Sequence, residues 1–135
     1  MRSLALCLVF LLVSPAYAVS DMVGTWFGHG QPESKDSMYI DRMRADGGWR
    51  GEYRTCIRGK PASDQVQEGS WVLNGDTLIL KVEMVDGRRE PRTDSYKMIA
   101  RTATTQKYIS LGFNFPYTPK KMADDFQMPS CELTS

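Results

Sequence analysis

Few residues of this chain are equipped for chemistry. The single histidine, His29, stands between Gly28 and Gly30 ahead of Pro32. At the mouth of a barrel it would be well placed as a base or a ligand. One imidazole does not build a zinc site, however, because zinc takes three or four nitrogen or sulfur ligands. There is no G-x-S-x-G elbow, and no serine has a base at a recognisable spacing. The methionines are scattered without an M-x-x-M cluster, so they read as core filler rather than thioether ligands for Cu(I). The sequence therefore predicts no catalytic residue, no metal site and no cofactor, and a protein that is not an enzyme.

Binding groups are better represented. Arg50, Glu52 and Arg54 alternate with Trp49, Gly51 and Tyr53, while Arg42 and Arg44 share a strand face with Met38 and Ile40. Turned inward, these guanidinium groups would suit a carboxylate held by bidentate contacts. Turned outward, they form a solvated ladder of cross-strand ion pairs, each worth little. Trp26, Trp49, Trp71, Tyr53, Tyr96 and Phe113 would either line a pocket or fill a core. The candidate ligand-binding set is Trp49, Tyr53, Arg42, Arg54, Tyr96 and His29.

The elements that position these residues belong to a short chain with a compartment signal. Arg2, an apolar run over 4–13, Ser14-Pro15 and Ala16-Tyr17-Ala18 have the order of a signal peptide cut after Ala18. The run of about ten apolar residues is too short to span a bilayer, which needs roughly 20. Cleavage would leave no membrane anchor and a single domain over 19–135, secreted or periplasmic. It removes Cys7 and leaves Cys56 and Cys131, whose default in an oxidising compartment is one disulfide. Closing that loop would contribute about 4 kcal/mol in the chain-entropy account. The chain has 17 basic and 16 acidic residues, and loss of Arg2 makes it formally neutral. Without a basic patch, nucleic acid is not an expected partner.

Period-two patterning predicts about eight strands, over 23–28, 37–44, 49–57, 69–73, 77–85, 93–101, 106–111 and 113–117. The clearest is 77–85, where Leu78, Leu80, Val82 and Met84 share a face. Asp46-Gly47-Gly48, Asn74-Gly75-Asp76 and Asp86-Gly87 mark hairpins, and 58–68 reads as a turn-rich loop. No stretch has a helical apolar stripe. Short antiparallel strands joined by local hairpins form a meander, and closure into a barrel removes its edges. A two-sheet sandwich is the alternative.

Gly24-Thr25-Trp26 on the first strand resembles the G-x-W signature that opens lipocalins. Thr93-Asp94-Ser95-Tyr96 resembles, with one extra residue, the T-D-Y of their second motif, and Lys120 or Lys121 would stand in for their tryptophan-packing arginine. From Gly24 through Asp46-Gly47, Cys56, Gly69-Ser70-Trp71 and Asn74-Gly75-Asp76, the chain is similar to small secreted bacterial proteins with lipocalin-like, calycin-type domains. The resemblance implies structural roles for Gly24, Trp26 and Trp71, with Trp26 plugging the closed end of the barrel. It brings no established activity. The function expected is enclosure of a small, partly apolar ligand. The alternative is a filled barrel that docks another protein, as an interaction or inhibitor module.

Overall fold

A computed structural model describes residues 19–131. The expected leader and its cut after Ala18 lie outside the described residues. A 3-10 turn (Val19–Met22) precedes nine strands: β1 (Gly24–Gln31), β2 (Ser34–Met43), β3 (Gly48–Ile57), β4 (Lys60–Asn74), β5 (Thr77–Val85), β6 (Arg88–Arg101), β7 (Gln106–Ser110), β8 (Pro116–Tyr117) and β9 (Lys120–Met122). They form one antiparallel sheet in up-and-down order, with β9 returning to β1. A single sheet replaces the sandwich alternative, and the all-β meander is as the patterning predicts.

One short stretch, 116–122, draws the two ends of the sheet together. Tyr117 faces Tyr108 on β7, whereas Lys120, Lys121 and Met122 face Phe27, Trp26 and Thr25 on β1. Between these pairings the Gln106 amide donates to the Pro119 carbonyl at 3.1 Å, and the Lys121 amide donates to Thr104 at 2.8 Å. The result is a nearly closed barrel, with its sheet edges occupied over this stretch.

Two expectations need correction. The segment 58–68 is not a loop: nearly all of it belongs to β4, which pairs with β3 from Ile57↔Lys60 through Gly48↔Ser70. The turn is made by Arg58 and Gly59, both at positive φ (52° and 74°), the geometry of a tight hairpin. Polar residues there hid the strand, because Ser63, Gln65 and Gln67 point at a cavity rather than at an apolar core. The predicted strand over 113–117 shrinks to two residues. Ahead of it the chain turns, with Asn114 at φ 53° and its amide donating to the Ser110 carbonyl at 2.8 Å.

The end of the barrel carrying the 44–48, 74–77 and 102–105 turns is packed. Met22, Trp26, Met43, Trp49, Trp71 and Met98 are buried there. Each indole N–H has a partner: Trp26 donates to the Met22 carbonyl (3.0 Å), Trp71 to the Arg44 carbonyl (2.9 Å) and Trp49 to Asp41 (3.0 Å). Trp26 thus fills the closed end, and Lys121 Nζ stands 5.8 Å from the centre of its ring, a cation–π placement. The same lysine stem packs against Gly24, where a Cβ would crowd it.

The outer face of β1–β3 is also covered. Cys56 on β3 is bonded to Cys131, with Cα atoms 5.7 Å apart. The segment leading to Cys131 is held by Arg42, which donates to the Asp124 and Phe126 carbonyls, and by Arg54, which donates to the Pro129 carbonyl at 3.0 Å. Phe126 lies against Phe27 at 5.1 Å between ring centres, and Phe27 is paired with Ile40 across the β1–β2 ladder. Hence Met38 and Ile40 are buried although they point out of the barrel. Among the described residues, no helix is long and apolar enough to cross a membrane. The disulfide is consistent with an extracellular or periplasmic location.

Candidate functional site

Period-two alternation sends Tyr39, Asp41 and Met43 of β2 inward, with Trp49, Gly51 and Tyr53 of β3 beside them. Toward the end opposite the tryptophans, this inner face lines a cavity of about 720 Å³. Its walls come from nearly every strand: Tyr39 and Asp41 from β2, Tyr53 from β3, Gln65 and Gln67 from β4, Leu78 and Leu80 from β5, Arg92, Asp94 and Tyr96 from β6, Tyr108 from β7 and Tyr117 from β8. Gln31, Glu33 and Phe113 stand at its rim. That volume lies within the range of small-molecule sites.

Two glycines make room for this wall. Gly28 is paired with Tyr39, and a Cβ there would collide with the Tyr39 ring and hydroxyl. Gly51 lies under Trp49 and Tyr53 in the same way. Each aromatic ring therefore lies over a bare stretch of backbone, which only glycine permits.

Four tyrosines form a connected cluster. Tyr108 and Tyr117 stack at 5.3 Å, Tyr39 meets Tyr117 edge-on at 5.6 Å, and Tyr96 meets Tyr108 edge-on at 5.3 Å. Asp41 lies at their base. Its Oδ1 accepts from Trp49 Nε1 at 3.0 Å and its Oδ2 from the Tyr108 hydroxyl at 3.4 Å. Burial pushes the Asp41 carboxyl up to about 6, against the pull of those two donors. Burial, followed by the Asp41 charge, drives the Tyr39 and Tyr53 hydroxyls well above their ordinary value. Burial also pushes Tyr117 up to about 12. At neutral pH the cluster is a set of intact phenols with Asp41 beside them.

Side-chain hydrogen bonds link one wall of the cavity and leave a gap on another. Arg92 Nε bonds Asp94 (3.1 Å to Oδ2), Arg92 Nη2 donates to Gln67 Oε1 at 2.8 Å, and Gln67 Nε2 donates to Gln65 Oε1 at 2.7 Å. Tyr117 Oη donates to Gln31 Oε1 at 3.4 Å. Tyr39 Oη, 2 % exposed as a residue, lies beside the Tyr108 hydroxyl, yet no partner among the described residues meets hydrogen-bond geometry. Buried hydroxyls are normally satisfied, so this atom marks a place where a donor or acceptor is missing.

The structure brings together only part of the candidate set. Tyr53 and Tyr96 line the cavity. Trp49 stands behind them, holding Asp41. Arg42 and Arg54 do not reach the cavity. They lie on the opposite face, paired with Glu52 (2.6 Å) and Asp64 (2.8 Å) and bonded to the C-terminal segment. Alternation requires this, since Asp41 and Tyr53, their neighbours in sequence, point inward. His29 is likewise outside: it is exposed within β1, paired with Met38 and edge-on to Phe27 at 4.9 Å. Thr93 to Tyr96 run along β6 rather than through a turn, and Asp94 and Tyr96 face the cavity.

Sequence reasoning missed Asp41, Tyr39, Tyr108, Tyr117, Gln65, Gln67 and Arg92. The available signal was Asp41 itself, a carboxylate set between Tyr39 and Met43 on one strand face. Fold and site together define a nearly closed antiparallel barrel, packed at one end and hollow at the other. No model of a known protein family matches the chain, and no curated protein matches it either.

Proposed function

We propose that this is a secreted or periplasmic, lipocalin-like, non-enzymatic protein that carries a small, partly apolar molecule in its barrel. The observation that supports the reading best is the cavity of about 720 Å³, walled by tyrosines and holding the Tyr39 hydroxyl, which meets hydrogen-bond geometry with no partner among the described residues. Burying a ligand's apolar surface against these rings contributes roughly 25 cal/mol per Å² of area removed from water, before the costs of association. The polar wall of Gln65, Gln67, Arg92 and Asp94 then fixes its orientation. A leader removed after Ala18 fits the same reading, because the Cys56–Cys131 bond needs an oxidising compartment.

The second reading, a module that docks another protein, draws on the rim. Leu111 and Phe113 are 58 % and 70 % exposed on one turn. Native mass spectrometry of protein purified from its own host's secreted or periplasmic fraction separates the two. An extra small mass lost on denaturation is expected for a carrier. A bare barrel bound to a protein at fixed stoichiometry would favour the docking module.

A further inference from the structure

The charge lining the cavity is one-sided. Glu33, Asp41 and Asp94 face it against one guanidinium, Arg92, and Arg92 is already committed to Asp94 and Gln67. Asp41 takes part in none of the ion pairs found among the described residues. A carboxylate offers about four lone-pair positions, and Asp41 has filled two, one of them with a long 3.4 Å contact. A half-buried carboxylate without a cation carries a desolvation cost, and a positive charge brought to it offsets that cost.

The surroundings specify what kind of positive charge. Tyr39, Tyr53, Tyr96, Tyr108 and Tyr117 all face the same cavity as Asp41. Ring faces attract organic cations, and the attraction grows where water is excluded. Tyr39 Oη, two residues along the same strand face, meets hydrogen-bond geometry with no partner among the described residues and would accept an N–H. A metal ion fits less well, because no group of three or more His, Cys, Asp or Glu among the described residues is arranged to hold one. An anion meets three carboxylates.

We propose that the cavity binds a protonated organic amine with an apolar or aromatic body, its ammonium group set between Asp41 and the Tyr39 hydroxyl. This rests on the carrier reading and names the class of its cargo. The apolar body extends along Leu78 and Leu80 toward Phe113 at the rim. Anions are rejected by Asp41 and Glu33, and neutral analogues lose the charged contact.

The test uses three probes of similar shape, tryptamine, tryptophol and indole-3-acetate, measured by equilibrium dialysis against the purified protein. Tryptamine should bind at least about tenfold tighter than tryptophol, as loss of a charge-assisted hydrogen bond implies. Indole-3-acetate should bind weakest. Asp41→Asn, nearly isosteric, should abolish the preference for tryptamine while leaving tryptophol unchanged. Tyr39→Phe, which removes only the hydroxyl beside Tyr108, should weaken tryptamine several-fold while leaving tryptophol binding unchanged. Equal binding of amine and alcohol, or strongest binding of the acid, overturns the amine assignment and leaves the carrier reading standing. Failure of all three probes at millimolar concentration also overturns it, and the native mass of host-purified protein then decides the carrier reading separately. Unchanged tryptamine affinity in both variants refutes the placement.

Discussion

The two ends of this barrel are built from the same strands and differ in what their aromatic residues do. At the packed end Trp26, Trp49 and Trp71 are buried, and every indole N–H is bonded within the protein. At the hollow end tyrosines replace them, and among the described residues one hydroxyl has no hydrogen-bond partner and the nearby Asp41 carboxylate has no ion pair. Closing one end with satisfied tryptophans lets the other remain unfilled without loss of the fold. Substitutions at the two ends should therefore act differently, on stability at one and on binding and pH response at the other.

The largest effect is expected at the packed end. Trp26→Ala removes a 1 % exposed side chain and should cost about 3–5 kcal/mol in chemical denaturation. A wild-type-like unfolding curve would remove the plug and with it the contrast. Next comes the Cys56–Cys131 bond, whose loop spans 75 residues in sequence. Reduction should destabilise by about 4 kcal/mol, seen as a lower Tm with reductant than without.

At the hollow end the sign is opposite. Because the folded Asp41 carboxyl is raised from 3.8 to about 6, the folded state holds its proton where the unfolded chain has lost it. This residue's contribution therefore falls as pH rises from about 4 to 6, and the full penalty is present above that window. Asp41→Asn should stabilise the empty protein by up to about 3 kcal/mol at pH 7. The gain should vanish near pH 4, as read from paired denaturation curves at the two pH values. A destabilised variant at pH 7 would mean that Asp41 serves the fold rather than a ligand. The smallest effect belongs to the outer ladder. Arg50–Glu68 is about half exposed on both sides, and Arg50→Ala should change stability by no more than about 0.5 kcal/mol.

The meander and the disulfide were legible because they rest on local signals: alternation in 77–85, glycine turns, and two cysteines left in an oxidising context. The cavity was not, for a physical reason. A polar interior erases the alternation that announces a strand, so β4 around Ser63, Gln65 and Gln67 looks like a loop. The arginines at Arg42 and Arg54 drew attention as binding groups, whereas they bind the protein's own C-terminal segment. The face of a strand follows from its period, but which face is inside depends on pairings far apart in sequence. Asp41 could have been found by asking which carboxylate of β2 lies between an aromatic and an apolar residue on one face.

The stretch 116–131 supplies both the closing seam and the outer cover tied at Cys131. A chain is synthesised from its N-terminus, so these residues emerge after β1 to β7. Until they do, β1 and β7 present open edges, and Met38 and Ile40 face water. A nascent chain that has delivered β1 to β7 is therefore a sticky, unlatched half-shell. A translation stop or a protease cut ahead of residue 116 would produce an aggregating species rather than a smaller barrel.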